Sequence, residues 1–269
     1  MTNPTGTTER MTYAHYLGLD TLLASQHPLS DRHDEMLFVI IHQTKELWLK
    51  QIIREIRFAQ AQVRASHLVP AYKSLARISR IQTVMTLSWD VLATMTPSDY
   101  TSFRSFLGTS SGFQSAQFRE VEYLLGLKDG NFLAFHDEGS AVRAELEQAL
   151  RDPSLYDDAL AQLAATGIAL PDAVLKRDYS QPYEPSTPVE DAWLAVYRNP
   201  ENYWELYQLA EKLVDLDDAL LTWRHKHVLT VERIIGGKRG TGGTAGVSYL
   251  QKTLERRCFP ELWSLRTKL

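Results

Sequence analysis

Histidine is the side chain through which this sequence could most directly do chemistry, because a neutral imidazole can ligate a metal, accept a proton or orient a substrate. His227 lies in a run where Leu209, Leu213, Leu216, Leu220, Trp223, His227 and Ile234 recur at spacings of three, four or seven. That periodicity puts it on the apolar stripe of one long helix. His225 lies about 200° away round the same helix, so the two cannot close on one metal. Spacing alone leaves two readings of His227. The commoner is a core histidine hydrogen-bonded to a carbonyl; the sharper is an axial ligand to haem iron. Phe38 and His42, at i and i+4, pose the same question, since they could line a pocket for a flat ligand or serve only as packing. A di-iron carboxylate centre needs Glu three residues before a histidine, and none of the eight histidines has one.

Tyr100 and Arg104 also stand at i and i+4. A guanidinium fork with a phenol beside it suits a carboxylate, although these two residues alone are as well explained by a surface stack. The segment Gly240-Thr241-Gly242-Gly243-Thr244-Ala245 matches G-x-G-x-x-A, but that dinucleotide fingerprint must follow a strand and this one follows a helix. What survives is a flexible loop of backbone N–H groups and hydroxyls beside Lys238 and Arg239, able to close over an anionic or zwitterionic ligand.

Helices must position these residues, because apolar spacing is helical throughout and no alternating strand pattern occurs. The expected elements are a short amphipathic segment from Tyr13 to Ala24, long helices over about 32–65 and 71–95, and a last long helix over about 201–235 that stops at Gly236. The first long helix has Leu37, Ile41, Trp48, Ile52 and Ile56 on its apolar face. Pro70 and Pro97 bound the second, and Thr96-Pro97-Ser98-Asp99 reads as the N-terminus of a short helix that ends at Gly108. Four prolines make residues 171–188 irregular, and one final helix follows the glycine-rich loop. The fold class is all-α, a single-domain bundle of long antiparallel helices.

The net charge of −4 argues against a non-specific nucleic-acid binder. The lone Cys258 excludes an internal disulfide framework and suits a reducing compartment, where it reads as a buried small hydrophobe. Residues 1–10 show no secretory apolar region, and no apolar run is long enough to cross a bilayer. A cytoplasmic protein with no membrane and no nucleic-acid partner is expected.

Along nearly its whole length the sequence resembles the tryptophan 2,3-dioxygenase family. The runs that carry the resemblance are Tyr13-Ala14-His15-Tyr16-Leu17, His33-Asp34-Glu35-Met36-Leu37-Phe38-Val39-Ile40-Ile41-His42-Gln43-Thr44, Glu46-Leu47-Trp48, Ser110-Ser111-Gly112-Phe113-Gln114-Ser115, Trp223-Arg224-His225-Lys226-His227, and residues 236–246. They occur in family order, and residues 131–190 resemble it least. The resemblance implies a bundle enclosing a haem pocket, with haem b, one per subunit and ferrous when active. It makes His227 the proximal iron ligand, and sets Phe38 and His42 on the distal side with His42 facing the indole N–H. Tyr100 and Arg104 would hold the substrate carboxylate, Thr241 would contact its carboxylate and ammonium groups, and Ser111 and Gly112 would lie beside the distal face. Residues 1–25 would dock on a neighbouring subunit of a homotetramer, inserting Tyr13, Tyr16 and Leu17, while 26–269 form the catalytic domain. The implied reaction joins L-tryptophan and O2 into N-formyl-L-kynurenine, the first step of tryptophan degradation by the kynurenine pathway. Two other readings stand beside it: a haem oxygenase acting on another indole, and a non-catalytic helical scaffold.

Overall fold

The computed structural model describes residues 10–269, and among them every regular element is a helix. In chain order these are α1 (Tyr13–Leu17), α2 (Leu19–Leu23), α3 (His33–Arg64), α4 (Leu68–Leu92), α5 (Pro97–Arg104), α6 (Ala116–Leu124), α7 (Ala141–Arg151), α8 (Leu155–Ala165), α9 (Asp172–Leu175), α10 (Thr187–Arg198), α11 (Trp204–Ile235), α12 (Val247–Lys252) and α13 (Pro260–Ser264), with short 3-10 turns between some of them. The expected all-α single domain is what forms. No described helix is long and apolar enough to cross a membrane.

Three long helices, α3, α4 and α11, make the centre. Ile52, Ile56, Ala59 and Val63 of α3, Leu75 and Ile78 of α4, and Leu209, Leu213 and Leu216 of α11 are almost fully shielded from solvent. Each large aliphatic side chain so buried contributes about 1.5–3 kcal/mol against exposure. The connection between α3 and α4 is only Ala65 to His67, so those two helices must run antiparallel. The pairing of α4 with α11 departs from the expected antiparallel bundle. Tyr72 donates to the Glu205 carbonyl near the start of both helices, and Trp89 meets Trp223 and His227 further along both. The two therefore run parallel, which the long excursion through α5 to α10 permits.

Other boundaries shift for local reasons. α4 begins three residues before Pro70 is passed, because a proline in the first helical turn loses no intrahelical bond. α11 begins at Trp204, since residues 201–203 form a turn instead. The Tyr13 to Ala24 segment is two helices, split at Gly18, whose φ of 61° halts the first. The stretch 171–188 is irregular apart from α9, and the final helix is broken before Pro260. Trp48, expected on the inner face, is 39% exposed, and Leu49 is buried in its place. Thr96 does cap α5, with Asp99 returning the bond to the Thr96 backbone.

Buried charge ties the periphery to this centre. Glu35, in the first turn of α3, accepts from the Leu29 and Ser30 amides. Arg224 of α11 donates to Glu122 of α6, which also pairs with Arg119. Asp217 accepts from the Cys258 amide and the Trp263 indole, so the C-terminal segment is pinned against α11 and Cys258 is buried as expected.

Candidate functional site

His42 is held by its own helix. Its Nδ1 lies 2.7 Å from the Phe38 carbonyl oxygen, and its ring is 4.2 Å from that of Phe38. A carbonyl only accepts, so Nδ1 carries the proton and Nε2 keeps its lone pair. Burial first, and then the charge of Lys45, push the His42 pKa down to about 4 against the opposing pull of that carbonyl. The ring is a neutral acceptor near neutral pH. α5 closes the same wall: the Phe38 ring lies 6.0 Å from Tyr100 and 5.7 Å from Phe103. Burial raises the Tyr100 pKa against the lowering effect of Arg104, so its phenol stays protonated and able to donate.

His227 comes to the same region from α11. Its imidazole stacks on Trp89 at 4.4 Å with an interplanar angle of 10°, and Trp223 lies 5.2 Å away. His225 is exposed while His227 is half-buried, the contrast that helical spacing predicts. Burial, then Lys45 and then His42, lower the His227 pKa to about 3. That mutual influence sets the two histidines of α3 and α11 within electrostatic reach of each other. Among the described residues no group of three or more His, Cys, Asp or Glu could hold a metal ion. A macrocycle that brings its own ligands needs only one imidazole from the protein.

The glycine-rich loop folds over α5 and the segment after it. Arg104 donates through Nη2 to the Arg239 carbonyl, and Thr241 donates through its hydroxyl to the Ser110 carbonyl at 2.6 Å. Gly242 rests on Ser111 so closely that a Cβ there would meet the Ser111 Cβ at 2.7 Å. Ser111 in turn caps the 3-10 turn that begins at Gly112. Arg104, Tyr100, Ser111, Gly112 and Thr241 thus gather at one mouth.

Three of the expected residues stand apart. Tyr13, Tyr16 and Leu17 are exposed, the tyrosines at 77% and 76%, and neither α1 nor α2 has a buried residue. Two others join the site that helical spacing did not single out, Lys45 and Trp89. Lys45, one turn after His42, is only 6% exposed, and its ammonium nitrogen lies 2.8 Å from the centroid of the Trp89 ring. Trp89, with the Trp223 that shares the apolar stripe of His227, packs against the His227 ring. The i+3 relation of Lys45 to His42 was a usable signal; nothing in α4 marked Trp89, because its partner lies on a distant part of the chain. A surface concavity of about 650 Å³, lined by Lys50, Arg54, Lys73 and Arg77 among others, includes none of the expected residues.

Aromatic rings of α3, α4, α5 and α11 packed round two neutral imidazoles, with Lys45 and Arg104 nearby, define an all-helical protein with a histidine-centred aromatic cluster. The chain belongs to the tryptophan 2,3-dioxygenase family, whose model matches residues 2–269. It is similar to the tryptophan 2,3-dioxygenase of Caulobacter vibrioides, with 70% identity over 259 residues that make up 96% of this chain and 98% of the relative. The protein of the same name from Bordetella pertussis is 54% identical over 96% of this chain and 91% of its own. That of Bacillus thuringiensis subsp. konkukian is 53% identical over 97% and 94%.

The Gly242 contact gives a direct test of loop closure. Gly242→Ala should hold the loop off Ser111, and hydrogen exchange over residues 238–246 should speed up by roughly tenfold or more, as expected when a local contact is lost. Unchanged exchange would show that the loop does not rest on Ser111 in solution.

Proposed function

We propose that this chain is a haem-dependent dioxygenase that inserts both atoms of O2 into L-tryptophan, giving N-formyl-L-kynurenine at the head of the kynurenine route of tryptophan degradation. The observation that carries the reading is the approach of two neutral imidazoles, His42 from α3 and His227 from α11, across one aromatic-walled space. Family membership supports it over the whole chain. The residues also fit a haem: Lys45 Nζ and the indole nitrogens of Trp89 and Trp223, beside the two histidines, are polar atoms buried without a hydrogen-bond partner, donors that a macrocycle bearing carboxylates could satisfy.

His227, neutral and steadied by Trp89, would hold the iron of a haem b, one per subunit, ferrous in the active form. Haem supplies O2 activation when bound; the protein's task is to deliver the indole C2=C3 bond in the right orientation. Phe38 would pack on the indole, and His42 Nε2 would accept its N–H. Arg104 has further N–H groups beyond the one on Arg239, and these with the Tyr100 phenol would take the substrate carboxylate. Thr241 would contact the carboxylate and ammonium groups, with Ser111 and Gly112 beside the distal face. Water excluded under the loop would strengthen each charged contact.

Tyr13, Tyr16 and Leu17 are apolar or aromatic side chains that the other described residues leave exposed. Their exposure supports docking of residues 1–25 into a neighbour's site within a homotetramer, of which residues 1–9 lie outside the described residues. Residues 26–269 then form the catalytic unit, working in the cytoplasm on L-tryptophan and O2 with no membrane or nucleic-acid partner. The buried thiol of Cys258 suits that reducing setting.

The experiment is to follow N-formylkynurenine absorbance with reduced protein, L-tryptophan and air. Wild type and His225→Ala should both show a Soret band and form product, whereas His227→Ala should lose tight haem binding and activity. Equal haem loss in the two variants would remove His227 from the iron, and a product of different mass would point to another indole.

Arg104→Lys keeps the charge but loses the bidentate fork. The KM for L-tryptophan should rise on the order of tenfold, the scale of one charge-assisted hydrogen bond. An unchanged KM would remove Arg104 from carboxylate binding.

His42 can be tested by magnitude. A general base contributes roughly 10²–10⁴-fold in rate, an orienting hydrogen bond about 0.5–1.5 kcal/mol net, or on the order of tenfold. A ring that stays neutral down to about pH 4 is a weak proton acceptor, which favours orientation. His42→Ala should bind haem and lose roughly tenfold to a hundredfold in kcat/KM, the upper part from admitted water. It should also gain some turnover of N1-methyltryptophan, which has no proton to remove. A His42→Ala enzyme with normal haem and substrate binding but no turnover of either substrate would assign the base role.

A further inference from the structure

Lys45 is a buried lysine beside this site whose side chain has no carboxylate partner among the described residues. Its side-chain nitrogen finds no hydrogen-bond acceptor there, the side chain is almost wholly shielded from solvent, and it lies over the face of Trp89. The other fully buried cations among the described residues, and Arg177, have acceptors. Arg224 and Arg119 share Glu122, Arg177 pairs with Asp157, and Lys128 donates to the Ala149 and Asp152 carbonyls. An unpaired buried charge is costly, and burial alone pushes the Lys45 pKa down to about 6; a lysine buried without an acceptor fits a ligand whose carboxylate would restore its ammonium form and pair with it. Lys45 follows His42 by one turn of α3 and lies against the ring that stacks on His227, hence it borders the space both histidines face.

We infer that Lys45 is a cofactor-binding residue whose ammonium pairs with a propionate carboxylate of the bound haem. The inference rests on the haem reading above. A second carboxylate source is the substrate, but Arg104, Tyr100 and Thr241 gather at the mouth, whereas Lys45 lies against the Trp89 ring behind His227. Its unbranched stem packs along apolar surface while leaving the ammonium free to follow a propionate at the rim of the macrocycle.

The test compares haem with its dimethyl ester, which is the same macrocycle without the two negative charges. Wild type, Lys45→Met and Lys45→Arg are reconstituted with each, and transfer to excess apomyoglobin is timed. Wild type should retain haem longer than the ester, and Lys45→Met should lose haem on the order of tenfold faster, the scale of one hydrogen bond to a charged group. In Lys45→Met that preference for haem should shrink by the same factor, while Lys45→Arg keeps most of it. The apo form of Lys45→Met should melt no lower than apo wild type, because a buried polar group without a hydrogen-bond partner has been removed, so faster loss cannot be blamed on misfolding. The dissociation constant of L-tryptophan, read from the Soret shift of the holoenzymes, should stay within about twofold.

Equal haem and ester retention in wild type, or an undiminished preference in Lys45→Met, would overturn the pairing while leaving the haem reading intact. Weakened tryptophan binding with unchanged haem retention would reassign the cation to the substrate carboxylate and overturn it as well. A wild type that takes up neither macrocycle would remove both the pairing and the haem reading.

Discussion

The stacking of His227 on Trp89 is the contact on which the site depends. An imidazole serves as a metal ligand only when neutral and held in one orientation, and burial against two indoles provides both. The contact also joins α11 to α4, and through Lys45 over the other partner ring it reaches α3. Chain segments separated by more than a hundred residues are thereby registered at one point. Were α11 to slide by a turn along α4, the imidazole of His227 would leave Trp89 and the neighbourhood of His42, and the aromatic wall would open with it.

That register is defended from outside the pocket. Arg224 and Asp217 sit on α11 on the flank beside the imidazole and are anchored by Glu122 of α6 and by the Cys258 and Trp263 donors. Breaking one partner of such a buried ion pair strands the other in low dielectric. The helix is therefore fixed by polar bonds as well as by aromatic packing, an arrangement that gives direction where apolar burial alone would allow slippage. Glu35 does the equivalent for α3 by fastening the chain that enters it.

What the sequence disclosed follows the range of the interactions involved. His227, the Phe38–His42 pair and the Thr96 cap all lie within a few residues of what defines them, so periodicity and capping chemistry were enough. Pro70 misled because a proline is tolerated in the first turn as readily as it forbids the interior. Trp48 misled because an apolar residue near the edge of a stripe is buried only if some neighbour covers it. The parallel pairing of α4 with α11, the Trp89 stack and the trapped charge of Lys45 depend on which distant segments meet, and no local pattern encodes that. The roles assigned to Thr241 and Ser111 came from resemblance alone; spacing showed a flexible loop and no more.

The closed loop also contains its own competitor. Arg104 and Thr241 donate to carbonyl oxygens of the chain, those of Arg239 and Ser110. A molecule that takes the Thr241 hydroxyl must exchange its bond to Ser110, while Arg104 has N–H groups to spare. A neutral acceptor would trade like for like and gain almost nothing at Thr241, whereas a carboxylate forms bonds roughly twice as strong and would win the exchange. On the proposed reading the self-satisfied loop would act as a threshold, lowering the apparent affinity for ligands and disfavouring those that carry an indole without the amino-acid charge.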